Sequence, residues 1–451
     1  MTFDDLLATL KWRDDVHIVD LARALLLVCR TLEGDLRRDR NDASRAHAFV
    51  QIRQRAFAWF EALDGERLDA RDAAELLGLL EDVRASGDAI AARAVAEGLD
   101  DALGVRFAGS FVFRPPLTLR PRDAFPVHPP AAYLLVTRVD RSGNPALRTP
   151  AIDRLRHLRL APDDMRGIDV ELIWQSAALA HLTTLTSSSK FAVAHPVVDP
   201  SSSFRWQRYT RDGVGLFYGV QPRDAEAHWE TVTALVSRAA DQRVAVLALP
   251  ELCLTDELFE RLRVHPRLAE IPLLVAGSRH VEQAAPGENE AVAFAHGRQI
   301  GHHQKFHPFE FDDDLDDSGI KTASRVRRRE DIRPRAPRLR LHVSSGWSMV
   351  VLICKDAIDR DVGELLRALQ VQLVVVPSWS DTTDDYDLLA RALAADPQAI
   401  TLVANLPGAP GVQAALFGRP VRDPGRRILQ ATIERPGVLW FDLNGNLGNL
   451  L

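Results

Sequence analysis

Residues 349–378 read MVVLICKDAIDRDVGELLRALQVQLVVVPS. Two apolar runs, 349–353 and 373–376, enclose a segment, VGELLRALQ, whose apolar residues recur every three or four positions. Runs this short and this apolar, alternating with an amphipathic helix, read as strands of a buried sheet in an α/β fold. The first run ends on Cys354, and Lys355 and Asp356 follow. A core thiol needs no such neighbours, whereas a nucleophilic thiol does.

The same alternation extends in both directions. Upstream, GVGLFYGVQ, VAVLALP and IPLLVAGS read as strands, and RDAEAHWETVTALVSRAADQ and TDELFERLRVH as helices. EAVAFAHGRQIGHHQK reads as a hairpin. Downstream come the helix YDLLARALAAD and the strands AITLVAN, RRILQATI and GVLWFDLN. Residues 206–451 are therefore expected to form one α/β domain.

Residues 1–104 are different. DLARALLLVCRTL, AFVQIRQRAFAWFEAL and DAAELLGLLEDV carry helical spacing, which predicts an all-α bundle domain. Asp69 is expected to cap one helix, with Asp72 adding charge near its N-terminus, and Gly65, Gly87 and Gly98 to punctuate the pattern. Cys29, among Leu25, Leu26, Val28 and Leu32, reads as a core thiol. Residues 105–205 read as a mixed, Pro-rich connector, with a strand in AAYLLVTRV, a helix in DVELIWQSAALAHLTTL and a strand in TSSSKFAVAHPVV.

Composition narrows the class. The 451 residues carry a net charge of −6, which favours neither nucleic acid nor an anionic membrane. Three cysteines, an odd number, argue for a reducing compartment rather than a disulfide framework. The N-terminus lacks the pattern of a secretory signal, and no apolar run approaches the ~20 residues that span a bilayer. The expectation is a cytoplasmic protein without membrane partners.

Three polar residues stand directly after expected strands, where α/β sheets gather sites: Glu251 after VAVLALP, Lys305 after RQIGHHQ, and Cys354 after MVVLI. They form a chemically sufficient set. A carboxylate can accept the thiol proton, a lysine can lower the thiol pKa and hold an oxyanion, and the thiolate is a covalent nucleophile.

The order Glu, Lys, Cys and the flanking blocks resemble the nitrilase, or carbon–nitrogen hydrolase, superfamily. The blocks are GLFYGVQ with Gln221, VLALPEL with Pro250 and Glu251, KFHPF from Lys305 to Phe309, and VLICKDAID with Cys354. VVVPSW, LVANLPG, RDPGRRIL and GVLWFDL follow in the family's order, so the resemblance runs from about 210 to 443. It implies a nitrilase-like α-β-β-α sandwich, commonly assembled into homo-oligomers, that needs no cofactor and no metal. It also implies Glu251 as general base, Lys305 as oxyanion stabiliser and Cys354 as nucleophile acting on a small amide-type substrate. A second acidic residue shortly after the lysine is usual in the family, and Glu310, Asp312 and Asp313 are the candidates.

Three departures accompany the resemblance. Lys355 stands where an aromatic residue is usual, which either depresses the thiol pKa further or marks an altered substrate choice. Pro308 replaces a leucine. The interval between Lys305 and Cys354 is long, with the acidic FDDDLDD followed by eight arginines between 325 and 340. That run, lacking interleaved aromatics, reads as a solvated insertion rather than a nucleic-acid surface. His303 and His307 have i, i+4 spacing, but Gly301 and Pro308 favour a strand-to-loop passage over a zinc-holding helix. Cys253 reads as core. The alternative to a hydrolase is a catalytically altered assembly or effector module whose residues 1–104 bind a protein partner.

Overall fold

The computed structural model describes residues 1–11, 15–32, 34, 43–63, 65, 67–107, 117–126, 155, 158–174, 185–281, 285–317, 320–343, 348–395, 398–408, 411–421 and 423–450. The chain divides into two compact units, the first lying within residues 1–165 and the second beginning its main run at Arg166.

The first unit is built on helices Phe3–Lys11, Ile18–Thr31, Ala43–Ala62, Ala70–Val83 and Asp88–Phe107. It also holds two short antiparallel pairings, Val16–His17 with Arg67–Leu68 and Ala124–Pro126 with Leu158–Leu160, so it is helical but not purely so. Asp69 caps Ala70–Val83 in a reciprocal box: its carboxylate accepts from the Asp72 N–H at 2.8 Å, and the Asp72 carboxylate accepts from the Asp69 N–H. Gly98 does not punctuate. It lies inside Asp88–Phe107, where a Cβ would sit 2.7 Å from the Ala56 Cβ and 2.8 Å from the Arg53 carbonyl, so its hydrogen lets two helices cross closely. Cys29 is buried, and burial pushes its thiol up to about 12.

Two sheets stack face to face in the second unit. The first runs in the order Arg298–Gln304, Asn289–Ala295, Leu273–His280, Val246–Ala248, Phe191–His195, Gly437–Phe441, Leu447–Leu450. In the second, Ile428–Ala431, Ala415–Gly418, Ile400–Pro407, Leu373–Ser380, Ser348–Val351, Arg338–Val343 and Asp169–Trp174 are successive neighbours. Central strands are parallel and buried on both faces, as the apolar runs require. Phe191, Val193, Val246, Ala248 and Val275 from one sheet meet Met349, Val351, Leu373, Val375 and Leu402 from the other in one apolar core. Helices Ala225–Asp241 and Asp256–Arg263 cover the outer face of the first sheet, and Asp384–Ala395 packs on Ile400–Pro407 and Ala415–Gly418. A third, four-stranded sheet joins Glu310–Leu315, Lys321–Glu330, Val214–Pro222 and Phe204–Arg211.

Several elements differ from the sequence reading. Residues 169–174 are a strand, not the start of a helix; Val170 and Leu172 are buried while Asp169 and Glu171 are not, a period of two. Residues 175–184, the rest of that segment, lie outside the described residues, as does the strand expected in 131–139. Phe191–His195 is a central strand of the first sheet, parallel to Val246–Ala248, although it falls within the expected connector. GLFYGVQ lies in the four-stranded sheet, with Gln221 exposed, and leads into the helix Ala225–Asp241. The arginine run is not simply a solvated insertion: it supplies residues 325–330 of Lys321–Glu330 and residues 338–340 of Arg338–Val343. Arg328 is fully buried, with its guanidinium on Asp313 and Asp317 and on the Leu216 and Leu315 carbonyls. No helix among the described residues is long and apolar enough to cross a membrane.

Candidate active site

Glu251 stands three residues past Val246–Ala248. A bulge in the neighbouring strand holds it there: Gly277 adopts φ +68, and a Cβ at that position would sit 2.2 Å from the Pro250 carbonyl oxygen. The Ser278 hydroxyl then accepts from the Leu252 N–H at 3.1 Å. Cys354 follows Ser348–Val351 in the second sheet, at φ 48 and ψ −115, a left-handed turn that a β-carbon disfavours. Its N–H donates to the Pro377 carbonyl at 2.9 Å, which fixes the turn. Lys305 leaves the edge strand Arg298–Gln304, and its N–H donates to the Asn289 carbonyl at 2.8 Å.

Three elements from two stacked sheets thus converge, and all three side chains are buried. The Lys305 ammonium donates to Glu251 Oε1 at 2.6 Å. It also donates at 2.7 Å to Oε2 of Glu330, a carboxylate the sequence reading did not single out. Asn289 Nδ2 bridges the two carboxylates, at 3.0 Å to Glu251 and 2.7 Å to Glu330. Glu251 Oε2 accepts from the Trp379 N–H at 3.0 Å, and the Glu251 charge acts on the Cys354 thiol. Cys354 Sγ also contacts the Trp379 carbonyl at 3.7 Å and the Tyr386 hydroxyl at 3.5 Å.

Glu330 ends Lys321–Glu330 and is held by two further donors. Phe309 N–H reaches Oε2 at 3.0 Å. His280 Nδ1 accepts from the Gly219 N–H, which leaves the proton on Nε2 to donate to Oε1 at 3.0 Å. The candidate acids lie elsewhere. Glu310 pairs with Arg327 at 2.9 Å, and Asp313 with Arg208 and Arg328 at 2.7 and 3.1 Å. Asp312 is exposed and lies 3.8 Å from Arg327. Along a strand, residues 310–313 alternate faces and meet arginines, whereas Glu330 is carried back to Lys305 by the antiparallel partner.

The electrostatics follow from burial. Burial raises Glu251, Lys305 opposes this, and Glu330 raises it again; the net shift is upward. For Glu330 burial is the largest influence, but Lys305 and His280 outweigh it and hold the group ionised. Lys305 itself stays charged: burial disfavours the ammonium, and the two carboxylates overcome it. Cys354 departs from the sequence expectation of a depressed thiol. Burial and the Glu251 charge push it up to about 11, against the pull of Lys305. The largest influences on the thiol do not include Lys355, whose charge acts on His307 and Glu310.

Asp356, two residues past the cysteine, ties the cysteine turn to the lysine loop. It accepts from His303 Nε2 at 2.8 Å and from the N–H groups of Phe306 and His307 at 3.2 and 2.8 Å. The two histidines thus serve a carboxylate, from a strand and a loop rather than from a helix. Among the described residues, no group of three or more His, Cys, Asp or Glu is placed to hold a metal ion. Cys253 is buried in the core beneath Glu251, and burial pushes its thiol up. Of the site residues missed, Asp356 had a signal, a carboxylate two positions after a strand-ending cysteine. Asn289 and Glu330 had none that a single strand shows.

No protein-family model matches the chain, and no curated protein matches it. Solved structures do. An amidase from Nesterenkonia sp. is 18% identical with a TM-score of 0.38, over 56% of this chain and 89% of that one. A variant of that amidase with the acetamide moiety of fluoroacetamide added at its active-site cysteine is 17% identical with a TM-score of 0.37, over 56% and 89%. Another variant, in complex with butyramide, is 18% identical with a TM-score of 0.37, over 56% and 90%. In its C-terminal part, this chain is similar to solved amidases of the nitrilase superfamily.

Proposed function

We propose that the second unit is a cysteine-dependent hydrolase of a non-peptide carbon–nitrogen bond, an amide or carbamoyl group, working through a thioester. The observation that carries this reading is one buried cluster: a thiol and a carboxylate that both contact Trp379, the carboxylate paired with a fully buried ammonium. A core of packing residues has no use for a thiol, two carboxylates and a lysine brought together without solvent.

The raised thiol and the raised carboxylate fit each other. At neutral pH the thiol keeps its proton, and Glu251 is basic enough to take it as sulfur attacks the carbonyl carbon. Sγ forms the new bond to carbon, and the carbonyl electron pair moves onto oxygen, which Lys305 and a backbone N–H hold. The tetrahedral adduct collapses, the carbon–nitrogen bond breaks, and Glu251 returns the proton to the leaving amine. Water, deprotonated by Glu251, then cleaves the thioester. Glu330 and Asn289 keep Lys305 and Glu251 in place throughout. The motif order from Pro250–Glu251 to the strand 437–441 supports the same reading.

The test is ammonia release from a panel of small amides by wild type and Cys354→Ala, with mass spectrometry of the quenched wild type. Turnover that vanishes in the variant, together with an acyl adduct on Cys354, is the expected result. A Cys354→Ala protein that retains full turnover sinks the proposal.

A further inference from the structure

Sulfur at Cys354 touches one group that this chemistry leaves idle. The Tyr386 hydroxyl lies 3.5 Å from Sγ and 2.7 Å from the Ser378 hydroxyl. Tyr386 is 2% exposed and Ser378 is fully buried. Both positions are set by the second sheet and its helix. Ser378 lies in Leu373–Ser380 directly before Trp379, and Tyr386 sits near the start of Asp384–Ala395. Tyr386 thus reaches the sulfur from the helix rather than from the strand that carries Trp379.

Proton counting gives the contact a direction. A thiolate has no hydrogen to donate, so a hydroxyl beside it must donate. The Ser378 hydroxyl can donate to the tyrosine oxygen, which leaves the tyrosine proton free to point at sulfur. Lys305 acts on the sulfur only through its charge, which two carboxylates largely cancel. When the thiol proton moves to Glu251, the new anion would otherwise be left in a dry site without a donor.

We infer that Tyr386, its proton directed by Ser378, is a further catalytic residue that donates a hydrogen bond to Sγ whenever the sulfur is anionic. In the attack step the Sγ proton goes to Glu251 and the sulfur electron pair forms the bond to carbon, while Tyr386 keeps its own proton. When the thioester breaks, the pair returns to sulfur and the same hydroxyl receives the departing thiolate. The second half rests on the proposed hydrolysis; the first half, the acidity of the thiol, does not. The shifts agree in sign: the Tyr386 contact draws the thiol down, while burial and the sulfur charge hold the tyrosine protonated.

The experiment is alkylation of Cys354 by iodoacetamide across pH, read by mass spectrometry in wild type, Tyr386→Phe and Ser378→Ala, with Cys29 and Cys253 as internal references. Tyr386→Phe is expected to slow alkylation of Cys354 at a given pH about tenfold to a hundredfold, the range for a hydrogen bond to a charged group. Ser378→Ala slows it less, in the same direction. A role confined to packing gives the opposite sign, because loosening the site exposes the sulfur and speeds labelling. Unchanged or faster labelling in Tyr386→Phe overturns the inference. If that variant does not fold, an unchanged or faster rate in Ser378→Ala does the same. Labelling needs no substrate, so a wild type that hydrolyses no amide while Tyr386→Phe labels slowly defeats only the hydrolase.

Discussion

Lys305 is tolerated in a dry interior because two carboxylates meet it, and that arrangement sets the character of the thiol. Burial first, and then the Glu251 charge, hold the sulfur up to about 11, because a Lys305 shared with Glu330 does not outweigh them. Removing one carboxylate tests this. Glu330→Ala leaves Lys305 half-paired and strips His280 and Phe309 of their acceptor, so urea unfolding is expected to show a loss of about 3–5 kcal/mol. The same variant should label faster at Cys354, since the lysine charge is less cancelled. An unshifted unfolding midpoint would show that Glu330 does not hold the site. The three polar residues were legible because each closes an expected strand. Glu330 was not, because Arg328 and Glu330 point inward from a strand of charged residues, and hydrophobic periodicity cannot register such a strand.

Among the elements, the bulge under Glu251 makes the sharpest demand on the sequence. Gly277 combines a left-handed φ with an approach that leaves no room for a methyl group. Gly277→Ala is therefore expected to cost more than about 1 kcal/mol and to lower amide turnover by displacing the Pro250–Glu251 segment. The check is thermal melting beside kinetics: wild-type values for both would mean the bulge does not position Glu251. The hairpin Asn289–Ala295 to Arg298–Gln304 was legible for a related reason. His296 and Gly297 both take positive φ, the tight turn that HG between two alternating runs suggests. Gly98 was misread because sequence shows that a glycine interrupts a helical pattern, not that a second helix passes over it.

At the scale of the whole molecule, two buried histidines contribute to the response to acid. Burial pushes His195 down to about 3. His342 is pushed down to about 4, by burial first and then by Arg340 and His302. Both folded values lie below the ordinary 6.5, so the unfolded chain takes up protons that the folded chain refuses. The stability is fully present above about pH 6.5 and is lost as the pH falls toward the folded values, at up to about 1.4 kcal/mol per pH unit for each group. Urea midpoints between pH 7 and pH 4.5 should fall accordingly, and a His195→Asn, His342→Asn protein should show a shallower slope. Equal slopes would refute the assignment.

By itself the sequence determined the alternation of buried strands and amphipathic helices after residue 205, the helical start of the chain, the capping box at Asp69, and the three strand-ending polar groups. Each is a local matter, decided by side-chain period and by residues within a few positions of one another. Only the tertiary structure decided that Phe191–His195 belongs beside Val246–Ala248, that the charged run folds into two sheets, and that Glu330 rather than Glu310 meets Lys305. Those choices depend on strand pairing across tens to hundreds of residues, where a buried charge is acceptable only if its partner arrives from another element. No single stretch of sequence carries that information.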